Sequence, residues 1–485
     1  MVRFDIVSKI IGQLLFLEGG MMLSCLVMAL CYREDDAMAF LISMMLTICS
    51  GLIFKHLGRN AGNELNRREA YLVVALIWVV FCAFGMLPLL ISGYVPSVTD
   101  AYFETMSGFT TTGATIIDDV ECLPHTILFW RSLTHWIGGL GIVFFTIAIL
   151  PSVVGGSIKV FAAESTGPIK TKMHPRLSTD AKWIWTVYLA ITASCVLFFH
   201  VAGMGLFDSV CFSMSIAGTG GFATYNDSLA PFNSPSIEYI ATVFQFLAGM
   251  NFTLIYVVLF KRQFTKLLTN SEFKLYCFVI AIATSLIAYF LVSRSGYGAS
   301  DAVRHALFQV VTFITTTGMF TDDAGQWPHF TWVVLGFCMF IGSCAGSTSG
   351  GLKCIRGVMI LKIIRNEFKQ ILHPNAVLPI KINRQNIQMN HVPSLLAFFV
   401  TYILICLLAA TVIILAGVDD TNAITIALSS LSNVGPALGN TIGPTMSWSS
   451  LPEGVKWLCS LLMLIGRLEI MTVLVLFTHS FWKEN

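Results

Sequence analysis

Residues 107–114 read Ser-Gly-Phe-Thr-Thr-Thr-Gly-Ala, and residues 313–318 read Phe-Ile-Thr-Thr-Thr-Gly. Each Thr-Thr-Thr-Gly run sits in an apolar stretch and precedes an acidic loop. A single run of this kind is no more than a surface turn. It gains meaning from two further loops with glycine endings, Gly218-Thr-Gly-Gly221-Phe and Ser432-Asn-Val-Gly435-Pro. The glycines Gly113, Gly221, Gly318 and Gly435 recur roughly every hundred residues, which is an internal repeat. Ahead of each lies an amphipathic segment too short to cross a bilayer, starting near Thr99/Asp100, Asp208, Ser300/Asp301 or Asp420/Thr421. These are helix N-cap types. Such a helix would enter the membrane from outside and stop partway. Its C-terminal end, carrying partial negative charge, would then face an axis that favours a cation.

The rest of the chain agrees with a membrane setting. Of 485 residues, 55% are hydrophobic and 12% charged, with a mean hydropathy of +0.76. Soluble domains carry about a quarter charged residues, so the chain falls in the membrane class. Apolar runs long enough to span cover Ile10–Cys31, Met38–Phe54, Tyr71–Ile91, Thr126–Val153, Trp183–Gly203, Ile237–Phe260 and Leu275–Val292, then Leu395–Ala416 and Val455–Phe477. With a broken run from Phe330, about ten crossings are expected. Ile10–Cys31 reads as a spanning helix rather than a signal peptide, because no small-residue cleavage site follows it. A net charge of +2 gives no reason to expect a nucleic-acid partner; lipid is the expected surround. The 13 cysteines show no metal-ligand spacing and read as small core hydrophobes, with only Cys122 in a loop placed outside.

Loop charge alternates along the chain. Lys55, Arg59, Arg67 and Arg68 form one basic loop; Lys159, Lys170, Lys172, Arg176 and Lys182 form the next. Lys261, Arg262, Lys266 and Lys274 follow, and then a stretch from Lys353 to Arg384. The intervening loops carry Glu34–Asp36, Asp118, Asp119, Glu121, Asp227, Asp322, Asp323, Asp419 and Asp420. By the positive-inside rule both termini are cytoplasmic. The expected fold is an all-α integral membrane protein, with two N-terminal transmembrane helices followed by four crossing–pore loop–crossing repeats around one central ion pore. The expected divisions are 1–68, 69–158, 159–262, 263–372 and 373–485.

Glycine lets the chain turn successive carbonyls toward one axis, and rings of carbonyls can replace an ion's hydration shell. The candidate cation ligands are therefore Thr111, Thr112 and Gly113; Thr219, Gly220 and Gly221; Thr316, Thr317 and Gly318; and Asn433, Val434 and Gly435. Threonine hydroxyls at 111, 112, 316 and 317 would add uncharged oxygens. Below them, the crossing from Phe330 breaks at Gly342-Ser-Cys-Ala-Gly-Ser-Thr-Ser-Gly-Gly351, which cannot face lipid as a helix. It is either a tightly packed helix break or a mobile gate, with Gly346, Ser347, Thr348, Ser349, Gly350 and Gly351 as gate residues. Arg467, near the middle of the last crossing, faces the interior either as a structural partner of a carbonyl or as a positive barrier under the ion path. Lys353 reads as a snorkelling cytoplasmic lysine. Trp136-Ile-Gly-Gly-Leu-Gly141 reads as a surface for close helix packing.

The motifs SGFTTTGAT, GTGGFAT, FITTTG and SNVGPALG, in this order, resemble those of the Trk/Ktr/HKT superfamily of potassium transporters over essentially the whole chain. The resemblance implies potassium uptake across the bacterial inner membrane by a multi-pass protein that is not an enzyme, with one subunit supplying all four filter loops. It maps the filter glycines to Gly113, Gly221, Gly318 and Gly435, and Gly at all four favours potassium over sodium. It supports the gate role for the Gly-rich loop and the barrier role for Arg467. It also implies a homodimer and a cytoplasmic nucleotide-binding regulatory protein, TrkA. Potassium ions in the filter would be the only bound species, with nothing covalently attached and any nucleotide on the partner. The competing reading is an alternating-access secondary transporter, a proton or sodium symporter. It requires an intramembrane acid, and Glu469 is the main candidate. A membrane-embedded enzyme is disfavoured: there is no HExxH and no paired carboxylate at membrane depth.

Overall fold

The computed structural model describes residues 2–62, 65–141, 177–376, 378–383, 385–386 and 391–483. The second half of the expected Thr126–Val153 crossing, the basic residues 159–176 and Arg384 lie outside the described residues.

The chain is built of helices: α1 (Phe4–Tyr32), α2 (Ala37–Leu57), α3 (Arg67–Gly85), α4 (Val98–Phe109), α5 (His125–Leu140), α6 (Leu177–Val201) and α7 (Leu206–Gly218). Then come α8 (Pro235–Ala248), α9 (Phe252–Lys261), α10 (Ser271–Ser295), α11 (Ala299–Ile314), α12 (His329–Ile341) and α13 (Cys354–Leu372). The last are α14 (His391–Leu415), α15 (Asp420–Ser432), α16 (Glu453–Arg467) and α17 (Ile470–Leu474). Among the described residues, the strand structure is a small antiparallel ladder that pairs Lys381 with Asn386 and Ile382 with Gln385.

Among the described residues, six helices are long and apolar enough to cross a membrane, counting α3 with its short continuation to Ile91. Two further candidate spans are bent pairs: α8 with α9 at 100°, and α16 with α17 at 112°. The expected continuous crossings Ile237–Phe260 and Val455–Phe477 are therefore corrected to broken ones. The cause is local. Asn251 starts α9 afresh by accepting a hydrogen bond from Leu254 N–H at 3.2 Å, and Glu469 takes a positive φ of 60°. Hydropathy registers neither event. The same kind of break ends α5 at Gly141 and α12 at Gly342, both at positive φ.

The long helices wear their hydrophobic residues outside. Leu52, Leu57, Phe278, Tyr289, Leu408 and Leu415 are all exposed, as they would be against lipid tails. Close contacts between α1 and α2 depend on small residues, since a Cβ at Gly12 would lie 2.7 Å from Gly51 O. The start of α3 is fixed by Glu69, which accepts from Asn66 N–H at 2.8 Å and pairs with Arg3 Nε at 2.8 Å. The core falls into two main clusters. One joins α1, α3, α4 and α5 to the final helices; the other joins α6 through α12. The four short helices α4, α7, α11 and α15 are lined up with these clusters and end inside them.

Those four helices begin earlier than the sequence suggests. Their N-caps are Ser97, Gly205, Gly298 and Asp419, so Asp100, Asp208 and Asp301 fall in the first turn rather than at the cap. There a carboxylate still suits the helix dipole.

Candidate functional site

The four short helices stop in one and the same way. Each runs into a residue with left-handed backbone, then one ordinary residue, then a glycine at positive φ. The left-handed residues are Thr111, Thr219, Thr316 and Asn433, at φ between 54° and 56°. The glycines are Gly113, Gly221, Gly318 and Gly435, at φ of 84°, 92°, 76° and 100°. The amide of the residue between them reaches five residues back: Thr112 to Ser107 O at 2.9 Å, Gly220 to Ser215 O at 2.9 Å, Thr317 to Thr312 O at 2.8 Å and Val434 to Ser429 O at 3.0 Å. This is the Schellman bond. It turns N–H groups back into the helix and leaves the following carbonyls free. Left-handed backbone is costly for a β-branched residue. Three of the four sites nonetheless hold threonine, and asparagine, which tolerates this conformation well, fills the fourth.

The four turns close into a ring. A Cβ placed on Gly113 would lie 2.0 Å from Gly220 O; on Gly221, 2.2 Å from Thr317 O; on Gly318, 2.1 Å from Val434 O; and on Gly435, 2.4 Å from Thr112 O. Each glycine thus packs against the carbonyl just ahead of the next glycine, and the fourth returns to the first. Both steric room and backbone conformation demand glycine here. All four glycines border a single cavity of about 90 Å³, together with Asp118 and Arg131. At its rim, hydrogen bonds from the Ser447 and Ser449 hydroxyls hold the Asp118 carboxyl below the usual carboxylate range.

The threonine side chains chiefly brace their own turns. Thr110 and Thr112 hydroxyls meet at 2.9 Å, and Thr315 and Thr317 hydroxyls at 2.8 Å. Asn433 Nδ2 donates to Thr112 Oγ1 at 3.0 Å and to Met463 O at 2.9 Å, joining the fourth turn to the first. Thr219 Oγ1 donates to Gly218 O at 2.7 Å.

Residues 342–353 pack directly beneath this ring. Gly350 N–H donates to Thr316 Oγ1 at 2.8 Å, and a Cβ on Gly350 would lie 2.0 Å from Ser432 O. Thr348 Oγ1 donates to Ala217 O at 3.1 Å. The loop therefore touches the second, third and fourth turns or the helix ends behind them. The Ser347 and Ser349 hydroxyls cluster with that of Ser343, and Gly346 and Gly351 take positive φ. Arg467 supplies the remaining quadrant. Its guanidinium donates to Thr348 O at 2.6 Å, to Gly139 O at 2.7 Å and to Gly138 O. The expected close packing at Trp136–Gly141 is present: a Cβ on Gly138 would lie 1.9 Å from Phe109 O.

Several sequence expectations need correction. Lys353 is not a snorkelling lysine. It is 2% exposed, and its Nζ donates to Ser349 O inside the loop. Glu469 does not stand alone, because Arg356 pairs with it while stacking 3.9 Å over Phe398. Nor is Glu469 the main buried acid: Glu18, Glu104 and Glu272 are all buried, while the Glu469 side chain is 22% exposed. Glu272 Oε1 accepts from Ala345 N–H at 2.6 Å and Ile355 N–H at 3.1 Å, so it holds both ends of the loop at once. Its only sequence signal is a glutamate at the start of an apolar run, which reads as an ordinary first-turn residue. Among the described residues no group of His, Cys, Asp and Glu is arranged to hold a metal ion.

Comparison with known proteins gives a consistent result. Residues 36–484 match the TrkH family, described as a cation transport protein. The Trk system potassium uptake protein TrkH of Escherichia coli K12 is 36% identical over 488 residues, covering 100% of both chains. The protein of the same name from Halomonas elongata is 35% identical over 480 residues, with 99% of each covered. Among solved structures, the crystal structure of the potassium transporter TrkH from Vibrio parahaemolyticus superposes with a TM-score of 0.89. It is 34% identical and is matched over 99% of this chain and 100% of that one.

Proposed function

The chain belongs to the TrkH family of cation transport proteins, and from that membership we propose that it takes up potassium across the bacterial inner membrane through the ring of four glycine turns. Two N-terminal helices flank four repeated units, and the short helices α4, α7, α11 and α15 are their pore helices. The observation that carries the reading is the closure of the ring. The carbonyls of Thr112, Gly220, Thr317 and Val434 each abut the preceding turn's glycine, so four oxygens surround one axis. Carbonyl oxygens there can take the place of water around a potassium ion. The threonine bonds and the glycine contacts set the spacing that separates potassium from smaller sodium.

Beneath the filter the loop 342–353 acts as the gate. Arg467 holds it shut by bonding Thr348 O, and its positive charge opposes cation passage. Glu272, fixing both ends of the loop, keeps its roots in place while the middle moves. The protein works as a homodimer with both termini cytoplasmic. The nucleotide-binding protein TrkA acts on the gate from the cytoplasm and carries the only nucleotide. Potassium in the filter is the one species this chain itself binds.

One observation favours the second reading, alternating access with a coupled proton. Glu18 is fully buried on α1, and neither carboxylate oxygen has a hydrogen bond among the described residues. It lies outside the ring, which is why the channel-like path is preferred. Cation flux into proteoliposomes separates the readings. The proposed path passes potassium and rubidium well above sodium and lithium, without a proton gradient. Equal potassium and sodium flux would sink selectivity, and flux that vanishes without a pH gradient would favour the symporter.

A further inference from the structure

Beside the outer cavity, which Arg131 borders, lies a buried charge pair to which the proposed transport path assigns no role. Arg131 Nε meets Glu104 Oε1 at 2.9 Å, and the two side chains are only 3% and 1% exposed. Glu104 sits on α4, whose end forms the first turn, and Arg131 sits on α5. Their remaining bonds run to the chain that leaves the first two glycine turns. Glu104 accepts from Ile116 N–H at 3.0 Å and from the Thr115 hydroxyl, whose Oγ1 lies 3.0 Å from both carboxylate oxygens. Arg131 Nη2 donates to Thr115 Oγ1 at 3.2 Å, and Nη1 donates to Ala223 O at 3.2 Å. The guanidinium lies 4.1 Å over the Phe222 ring. Thr115 and Ile116 follow Gly113 closely; Phe222 and Ala223 follow Gly221 directly.

We infer that Arg131 and Glu104 are positioning residues for ion selectivity, holding the first and second glycine turns at the separation the ring requires. Desolvating an ion pair returns little net stability, so its value lies in what it touches. A planar guanidinium can bond a carboxylate, a hydroxyl and a carbonyl in fixed directions at once, which lysine cannot do. The pair therefore fixes the Gly113-to-Gly220 O contact from behind. The inference rests on the reading of the ring as the selectivity filter.

The test is the potassium-to-sodium flux ratio of purified variants in proteoliposomes, alongside Gly113→Ser. Glu104→Gln keeps the side chain's size but removes its charge, and should lower the ratio about tenfold, the worth of one charge-assisted hydrogen bond. Glu104→Asp should retain most of the selectivity. The double variant E104Q/R131Q restores charge balance without the brace and should stay unselective. Recovery of the wild-type ratio there would show that net charge, not position, matters, and would overturn the inference. So would a wild-type ratio in Glu104→Gln. If Glu104→Gln does not fold, Thr115→Val removes the shared hydroxyl at a partly exposed position, and an unchanged ratio there counts equally against the pair. Loss of selectivity in Gly113→Ser with none in these variants defeats this inference alone. An unchanged ratio in Gly113→Ser defeats the filter reading beneath it.

Discussion

At Gly113 a single added carbon decides between fit and collision. Its Cβ would sit 2.0 Å from Gly220 O, and the backbone is already at φ 84°. Gly113→Ala should therefore move the second turn's carbonyl outward, with a backbone cost of about 1–2 kcal/mol. Potassium over sodium discrimination should fall while the protein still assembles, measured as the ratio of the two fluxes. Arg467 is a second residue whose geometry makes a sharp claim. Its guanidinium bonds three backbone carbonyls on two separate elements. Arg467→Ala should raise basal flux in the absence of any regulatory partner, and Arg467→Lys should restore only part of the block, since one ammonium cannot span the same three oxygens. The sequence makes the glycines and Arg467 visible, because a small residue at a repeated spacing and a charge inside an apolar run both stand out. It does not show that Thr111, Thr219, Thr316 and Asn433 share one left-handed backbone, because threonine is a poor advertisement for that conformation.

At the scale of elements, the decisive feature is the break. The helix pairs α8–α9 and α16–α17 turn by 100° and 112°, and α5 and α12 stop at glycines. Hydropathy shows only the Gly-rich break after Ile341, because Gly141 lies in apolar sequence and the isolated polar residues at Asn251, Arg467 and Glu469 leave the surrounding runs apolar on average. The stop at Gly249–Asn251 depends on the Asn251 side chain accepting from Leu254 N–H, and the turn at Glu469 on its positive φ. The loop after α12 is held at both roots by Glu272 on α10, a partner more than seventy residues away that no local pattern reveals. Glu272→Ala removes two charge-assisted bonds, each worth about 1.5–3 kcal/mol. It should raise basal flux and also the protease sensitivity of residues 342–353. Glu272→Gln, which still accepts from both amides, should have a smaller effect on both measurements. Shortening the Gly342–Gly351 loop should raise basal flux without altering the potassium-to-sodium ratio, because none of the ring's carbonyl-to-glycine contacts involves that loop.

For the whole molecule, four turns drawn from positions 113 to 435 of one chain meet around a common axis. A ring made by one polypeptide need not be chemically uniform, and this one is not: Asn433, which bonds across to Thr112, stands where the other three turns carry threonine. The repeat was legible because glycine recurs in phase with the apolar segments. The cross-braces Arg131–Glu104, Glu272 and Lys353 were not, because each joins residues whose proximity exists only after the helices pack. On the proposed function, the carbonyls of Thr112, Gly220, Thr317 and Val434 jointly coordinate a dehydrated monovalent cation. Crystals of the protein soaked in rubidium, measured at the rubidium absorption edge, test it most directly. An anomalous peak on the axis, equidistant from those four oxygens, is the predicted result. Rubidium bound elsewhere, with none between the four turns, would contradict it.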